Sequence, residues 1–183
     1  MVDRQREARR VHEQGQWAET VLANLKEHEV RLMTYVPDNM LIPLIDGAHA
    51  DAHFTAFTAT REEEAIGIAC GADMAGMRAV VLMQSSGFGN TINALASLAV
   101  PYQLPLLMII SERGVIGEYN SVQMPITRAI RPTLDALGIP HVTLSRMDEL
   151  HFLTHRMIRQ CFLTRTPTAL ILSPLLTGGK TDV

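Results

Sequence analysis

Three consecutive glutamates, Glu62-Glu63-Glu64, open a stretch rich in small and apolar residues, and the run Ser85-Ser86-Gly87-Phe88-Gly89-Asn90 follows it, with Asn93 just beyond. Acids at a helix start favour the positive end of the helix dipole, which is reason enough for such a run if it stands alone. The serine and glycine run invites phosphate chemistry, because amides at a helix N-terminus favour anions. The pattern does not complete. Ile92 stands where a dinucleotide fingerprint needs its third small residue, and no Gly-Lys-Ser/Thr of the Walker type occurs. Ser86 does not sit in a Gly-x-Ser-x-Gly elbow either, since Gln84 takes the place of the first glycine, so acyl transfer through a serine is unsupported. Asn90 and Asn93 read most simply as helix caps.

The elements that must position these residues alternate. Thr60 precedes Glu63 at capping-box spacing, and Ala65, Ala69, Ala72 and Ala75/Gly76 recur at helical intervals. Ala79 to Met83 is an apolar run suited to a buried parallel strand, and the glycine run is expected to be a tight turn before a helix over Thr91 to Leu98. Upstream, the pattern predicts a helix from Trp17 to His28, a strand from Val30 to Val36, a short helix from Met40 to Ile45 and a strand from Ala52 to Ala59. Downstream it predicts strands at Leu106 to Ser111, His141 to Leu144 and Thr168 to Ser173. Helices are expected over Pro132 to Leu137 and Met147 to Thr164. Glu112 to Pro125 is the longest irregular stretch, a candidate binding loop or lid. The expected fold class is therefore α/β, a single three-layer domain with a mostly parallel sheet of about six strands and helices on both faces. A charged arm over 1–15, the domain over 16–176 and a tail over 177–183 complete the division.

With 183 residues and 47% hydrophobic content, the chain can fill one core. A net charge of −3 gives no electrostatic reason to expect nucleic acid or an anionic membrane as a partner. Cys70 and Cys161 lie apart in apolar surroundings without metal-ligand spacing and read as reduced core thiols. No apolar segment is long enough to span a bilayer, and a cytoplasmic protein is expected.

The order of helix-start glutamate, helix with Gly71, strand, Ser-Gly-x-Gly and Thr-x-Asn resembles the pyrimidine-binding domain of thiamine diphosphate enzymes. A narrower likeness is to the alpha-subunit family of the sulfopyruvate decarboxylases, to which phosphonopyruvate decarboxylases are related. It is carried by Thr60 to Glu64, Met83-Gln84, Ser86-Gly87, Gly89-Asn90, Ile92 to Leu98 and Pro105 to Ser111. Ser85 and Phe88 depart from that group, which usually has asparagine and leucine there. The resemblance implies that Glu62 bonds the pyrimidine ring nitrogen in a dry pocket beneath a second subunit, while the cofactor supplies the carbanion. It also implies that Ser86, Gly87, Phe88, Gly89, Asn90 and Asn93 contact the pyrimidine end; His53, Arg61, Gln84, Arg113 and Gln123 are substrate candidates by their place near the glutamate, the glycine run and the loop.

No metal ligand is implied on this chain. Mg2+ and the diphosphate are expected on a beta subunit carrying Gly-Asp-Gly, within a hetero-oligomer that also self-associates. The implied reaction is decarboxylation of a small 2-oxo acid, 3-sulfopyruvate to sulfoacetaldehyde and CO2 first, with decarboxylase or lyase action on 3-phosphonopyruvate or another 2-oxo acid as an alternative. A noncatalytic scaffold subunit of the same fold is the other alternative.

Overall fold

The computed structural model describes residues 2–179, and for 2–14 the backbone alone. Helix α1 (Val2–Glu27) leads into β1 (Val30–Tyr35), a 3-10 turn (Asn39–Leu41), α2 (Ile42–Ala50), β2 (Thr55–Thr58), α3 (Glu62–Met74) and β3 (Arg78–Gln84). Then come α4 (Ser85–Ala94), a π-helical turn (Leu95–Ala99), β4 (Leu107–Ser111), α5 (Gln123–Ala136), β5 (His141–Leu144), α6 (Met147–Thr164), β6 (Thr168–Leu172) and α7 (Pro174–Thr177). The six strands form one sheet in the order β2-β1-β3-β4-β6-β5, and every neighbouring pair is parallel.

The two-residue period of the strands divides the core. Val80 and Leu82 of β3, Leu107 and Ile109 of β4, and Leu170 and Leu172 of β6 face one side, where Trp17, Val21 and Leu25 of α1 and Leu150 and Ile158 of α6 cover them. Val81, Met83, Met108, Ile110 and Ile171 face the other, beneath Ile66 and Ala69 of α3, Phe88 of α4 and Ile130 and Leu134 of α5. In β1 the alternation slips: Val30, Met33 and Tyr35 share a face, and the register against β3 shifts between Val30 and Leu32. Both faces being covered, the sheet needs apolar residues at successive positions, and β4 is buried throughout.

Several sequence expectations change in detail. The glycine run is not a turn: α4 starts at Ser85 directly after β3, because Phe88, Thr91 and Leu95 bury one face and packing overrides the turn propensity of serine and glycine. The loop closes at Val122 rather than Pro125, and α5 is a fourteen-residue helix instead of a short one from Pro132. Pro125 falls in its first turn, where an amide hydrogen would be unused. Pro132 lies inside the helix, held by the burial of Thr127, Ile130 and Leu134. The capping box is different too. Arg61 is the N-cap of α3 without a side-chain cap, and Glu64 rather than Glu63 reaches back to accept from the Thr60 amide at 2.6 Å.

The backbone of the charged arm continues unbroken into α1. At the other end Thr177 is buried within α7, and residues 180–183 of the expected tail lie outside the described residues. No helix among the described residues is long and apolar enough to cross a membrane. Cys70 and Cys161 are free and buried, and burial pushes their thiols up to about 11 and about 12, which leaves them protonated and inert at neutral pH.

Phe88, expected at the cofactor, is 1% exposed and belongs to the core between α3, α4 and the sheet. Phe88→Ala should lower the unfolding free energy by about 3–5 kcal/mol in urea titration. A loss under about 1 kcal/mol would place the ring outside the packed core.

Candidate active site

A parallel sheet sends the C-terminal ends of all its strands to one edge, and ligands in such folds bind there. At this edge lie Asp38 after β1, Glu62 after β2, Gln84 to Gly87 from the last residue of β3 onward and Ser111 to Arg113 from the last residue of β4 onward. The three glutamates of α3 have separate fates. Glu64 is exposed and bonds the Thr60 amide, and Glu63 pairs with the exposed Arg61 at 3.5 Å. Glu63 is half-buried, with its Oε2 shielded from solvent, and Glu62 is the most buried of the three at 8% exposed. It sits in the first turn of α3, where the helix dipole favours a negative charge. Its Oε2 accepts from Asn90 Nδ2 at 3.2 Å.

The carboxylate rests on the bare backbone of Gly87. A Cβ there would stand 2.6 Å from Glu62 Cδ and 2.7 Å from Cγ, so any side chain at 87 would displace the acid. Gly89 clears a different neighbour, since a Cβ there would meet Ile126 Cδ1 of α5 at 2.8 Å. The two glycines thus serve helix packing on either side of α4. Ser86, Asn90 and Asn93 lie on the exposed face of α4, and Asn93 Oδ1 accepts from Ser97 Oγ at 3.2 Å. Glu62, Gly87 and Asn90 therefore meet, and Ser86 and Asn93 extend the same polar shelf.

Beside this shelf runs a buried polar network. Asp38 Oδ1 accepts from Ser111 Oγ at 3.0 Å and from the Met40 amide at 3.0 Å, and Oδ2 accepts from Arg113 Nη1 at 2.9 Å. Ser85 Oγ donates to Ser111 O at 3.1 Å and accepts from the Arg113 amide at 2.9 Å. The Arg113 guanidinium also reaches Glu118 at 3.5 Å. Burial alone would raise the Glu118 pKa, but the Asn120 and Gly114 amides and the Arg113 charge outweigh it and hold the carboxyl below its ordinary value. Arg131 pairs with Glu112 at 2.6 Å, and Thr127 Oγ1 bonds Arg113 O. The loop 112–122 is thereby fixed at its root, while Ile116 and Val122 are 71% and 78% exposed.

A cleft of about 200 Å³ opens between this loop, Met40 and the Pro174–Gly179 segment. Glu62 and Gly87 are not among its walls, so the shelf and the cleft are separate features of one edge. Gln84 Oε1 and Gln123 Oε1 are buried and have no hydrogen-bond donor among the described residues.

The structure does not bring His53 to this edge. Its Nε2 pairs with Val30 O at 3.1 Å, at the start of β1, and the four residues of β2 carry the chain roughly 13 Å from there toward the shelf. Arg113, read as a substrate cation, is already shared between two carboxylates. Asp38 and Ser111 were not singled out from sequence, and Ser85 only as a departure from the family pattern. Their only signal is position, each falling at or just after the end of a parallel strand.

The family described as thiamine pyrophosphate enzyme, N-terminal TPP binding domain, matches residues 16–139. The sulfopyruvate decarboxylase subunit alpha of Methanothermobacter thermautotrophicus is 40% identical over 126 residues, covering 69% of this chain and 76% of that protein. The subunit of the same name from Methanocaldococcus jannaschii is 37% identical over 151 residues, 82% of this chain and 89% of its own. A phosphonopyruvate decarboxylase of Streptomyces viridochromogenes is 33% identical over 138 residues, which is 73% of this chain but 34% of that longer protein.

Gly87→Ala should force the Glu62 carboxylate off α4 and cost about 1–3 kcal/mol, the usual range for overpacking. A crystal structure of the variant with Glu62 unmoved, together with an unchanged melting temperature, would remove the close-approach role of this glycine.

Proposed function

The chain belongs to the thiamine pyrophosphate enzymes through their N-terminal TPP binding domain, and from that premise we propose that it is the pyrimidine-binding subunit of a two-chain 2-oxo acid decarboxylase acting on 3-sulfopyruvate. The observation that carries this reading is the setting of Glu62, the most buried acid of the three, against a glycine backbone and an asparagine amide. Plain dipole stabilisation requires no such burial, since Glu64 satisfies the helix start from the surface.

The residues fit the pyrimidine end of thiamine diphosphate. A buried carboxylate can meet a ring nitrogen, and the buried Gln84 Oε1 lacks a donor of the kind that an aminopyrimidine brings. Bound there, thiamine diphosphate would supply the carbon nucleophile and the electron sink that loss of CO2 from a 2-oxo acid requires. Glu62 would share a proton with the ring nitrogen N1′, and Asn90 would hold Oε2 in place so that the acid need not reorient. Ser86 and Asn93 would border the ring on the exposed face of α4. The shelf is open on the side away from the sheet, and a partner chain would roof it. That partner, a beta subunit with Gly-Asp-Gly, would also hold Mg2+ and the diphosphate. The names of the archaeal relatives, each a subunit alpha, are in keeping with such a division.

A second anionic group on the substrate needs a cation or amide donors. Arg113 is occupied by Asp38 and Glu118, so on this chain Arg61, at the N-cap of α3 and 69% exposed, is the cation nearest in sequence to Glu62 that is able to turn toward a ligand. Gln123, at the first position of α5, adds an amide below the loop. The tip of the loop 112–122 would close over the bound acid and exclude water.

Glu62→Gln, assembled with its partner chain, should lose at least about a hundredfold in turnover, the scale of a positioned proton-transfer group, while assembling normally. Glu63→Gln and Glu64→Gln should lose far less. An active Glu62→Gln enzyme would overturn the assignment. Steady-state decarboxylation should also favour 3-sulfopyruvate over pyruvate by about a hundredfold or more, since one charged contact contributes roughly 2–3 kcal/mol. Equal efficiency on the two acids would reject a pocket built for a dianion and leave the role of Glu62 untouched.

A further inference from the structure

The N-terminal edge of the sheet, remote from Glu62, carries a cluster that the decarboxylase reading does not use. Glu27 ends α1, His28 follows it, and His155 projects from the middle of α6, which packs against α1. One ligand atom from each, a Glu27 carboxylate oxygen and one ring nitrogen of each histidine, all lie within 4.8 Å of one another. His28 Nε2 stands 3.2 Å from His155 Nδ1, and that same Nδ1 stands 3.3 Å from Glu27 Oε1. With metal–ligand bonds of about 2.0 to 2.2 Å, two donors on a tetrahedral ion are roughly 3.3 to 3.6 Å apart, so both short edges are near those of a coordination tetrahedron.

We propose that Glu27, His28 and His155 form a binding site for a divalent metal ion of the zinc class, one that clamps the end of α1 to α6. Two imidazoles and a carboxylate suit Zn2+, Co2+ or Ni2+, whereas Mg2+ prefers an octahedron of oxygens. The site is reachable, because the side chains of Glu27 and His155 are 53% and 25% exposed. The fourth position would fall to water or to His151, one turn earlier on α6, whose ring centroid is 6.0 Å from that of His155.

The surroundings keep the donors available. Arg78 is itself engaged, donating to the His28 carbonyl at 2.7 Å with its guanidinium over the Phe162 ring at 4.9 Å. Without a metal, a hydrogen bond between His28 and His155 satisfies one nitrogen of each ring, so the cluster can exist in either state.

The test is a Zn2+ titration of the tag-free, full-length chain in buffer containing Mg2+, by competition with a chromophoric chelator. One Zn2+ should bind per chain and raise the melting temperature, as any ligand selective for the folded state does. His155→Ala and Glu27→Gln should each weaken binding by at least about tenfold, the lower end of what losing even an outer partner of a metal ligand costs. His141→Ala, at the start of β5, should leave it unchanged. Glu27 is exposed enough for Glu27→Gln to fold normally even if the histidine variants do not. No zinc binding by the wild type, equal binding by Glu27→Gln, or an equal loss on His141→Ala would each overturn the proposal.

Discussion

The Glu62 carboxylate lies against the backbone of Gly87, and this contact sets the distance between the start of α3 and the first turn of α4. Only a residue without a Cβ permits it. Because α3 presents its first turn there, the acid is held where the helix dipole stabilises its charge and where the sheet keeps water from one side. Asn90, one turn beyond Ser86 on the exposed face of α4, completes the arrangement by donating to Oε2. A carboxylate buried this way in a chain acting alone would forfeit solvation for little return.

The polar network beside the shelf serves another end. Asp38, Ser111, Ser85 and Arg113 join the C-terminal ends of β1, β3 and β4 and leave no oxygen of the Asp38 carboxylate without a donor. A buried ion pair is tolerable only when its hydrogen bonds are complete, and this one is supplemented by the Met40 amide and by Glu118. The root of the loop after β4 is rigid as a result, which confines any closing movement to its exposed tip. The buried acid and the rigid network share one edge of the sheet, and the histidine cluster between α1 and α6 occupies the opposite edge.

Much of this was legible in the chain. Alternating strand and helix patterns imply a parallel sheet covered on both faces, since parallel strands require crossovers and the crossovers are helices. The pattern over Met147–Thr164 locates α6 to the residue, because a long amphipathic stripe has no competing reading. The order of Glu62, Gly87 and Asn90 likewise marks the shelf in advance. The apolar settings of Cys70 and Cys161 sufficed to read them as core thiols.

Other features were decided only when distant segments met. Ser85-Ser86-Gly87-Phe88-Gly89 has the local chemistry of a turn and folds as helix, because Phe88 and Thr91 gain burial that outweighs weak intrinsic preference. Whether Glu62, Glu63 or Glu64 turns inward depends on the helix phase against α4, which three identical side chains in succession cannot encode by themselves. His53 looks close to Glu62 along the chain, yet a parallel strand separates the two edges and puts a strand's length between them. Arg113 and Asp38 are 75 positions apart and meet because β1 and β4 flank β3. Sequence order determined the fold and brought three glutamates to the C-terminal edge of the sheet, whereas packing between elements far apart in the chain decided which of them is buried, which neighbours that acid has and which cations are already taken.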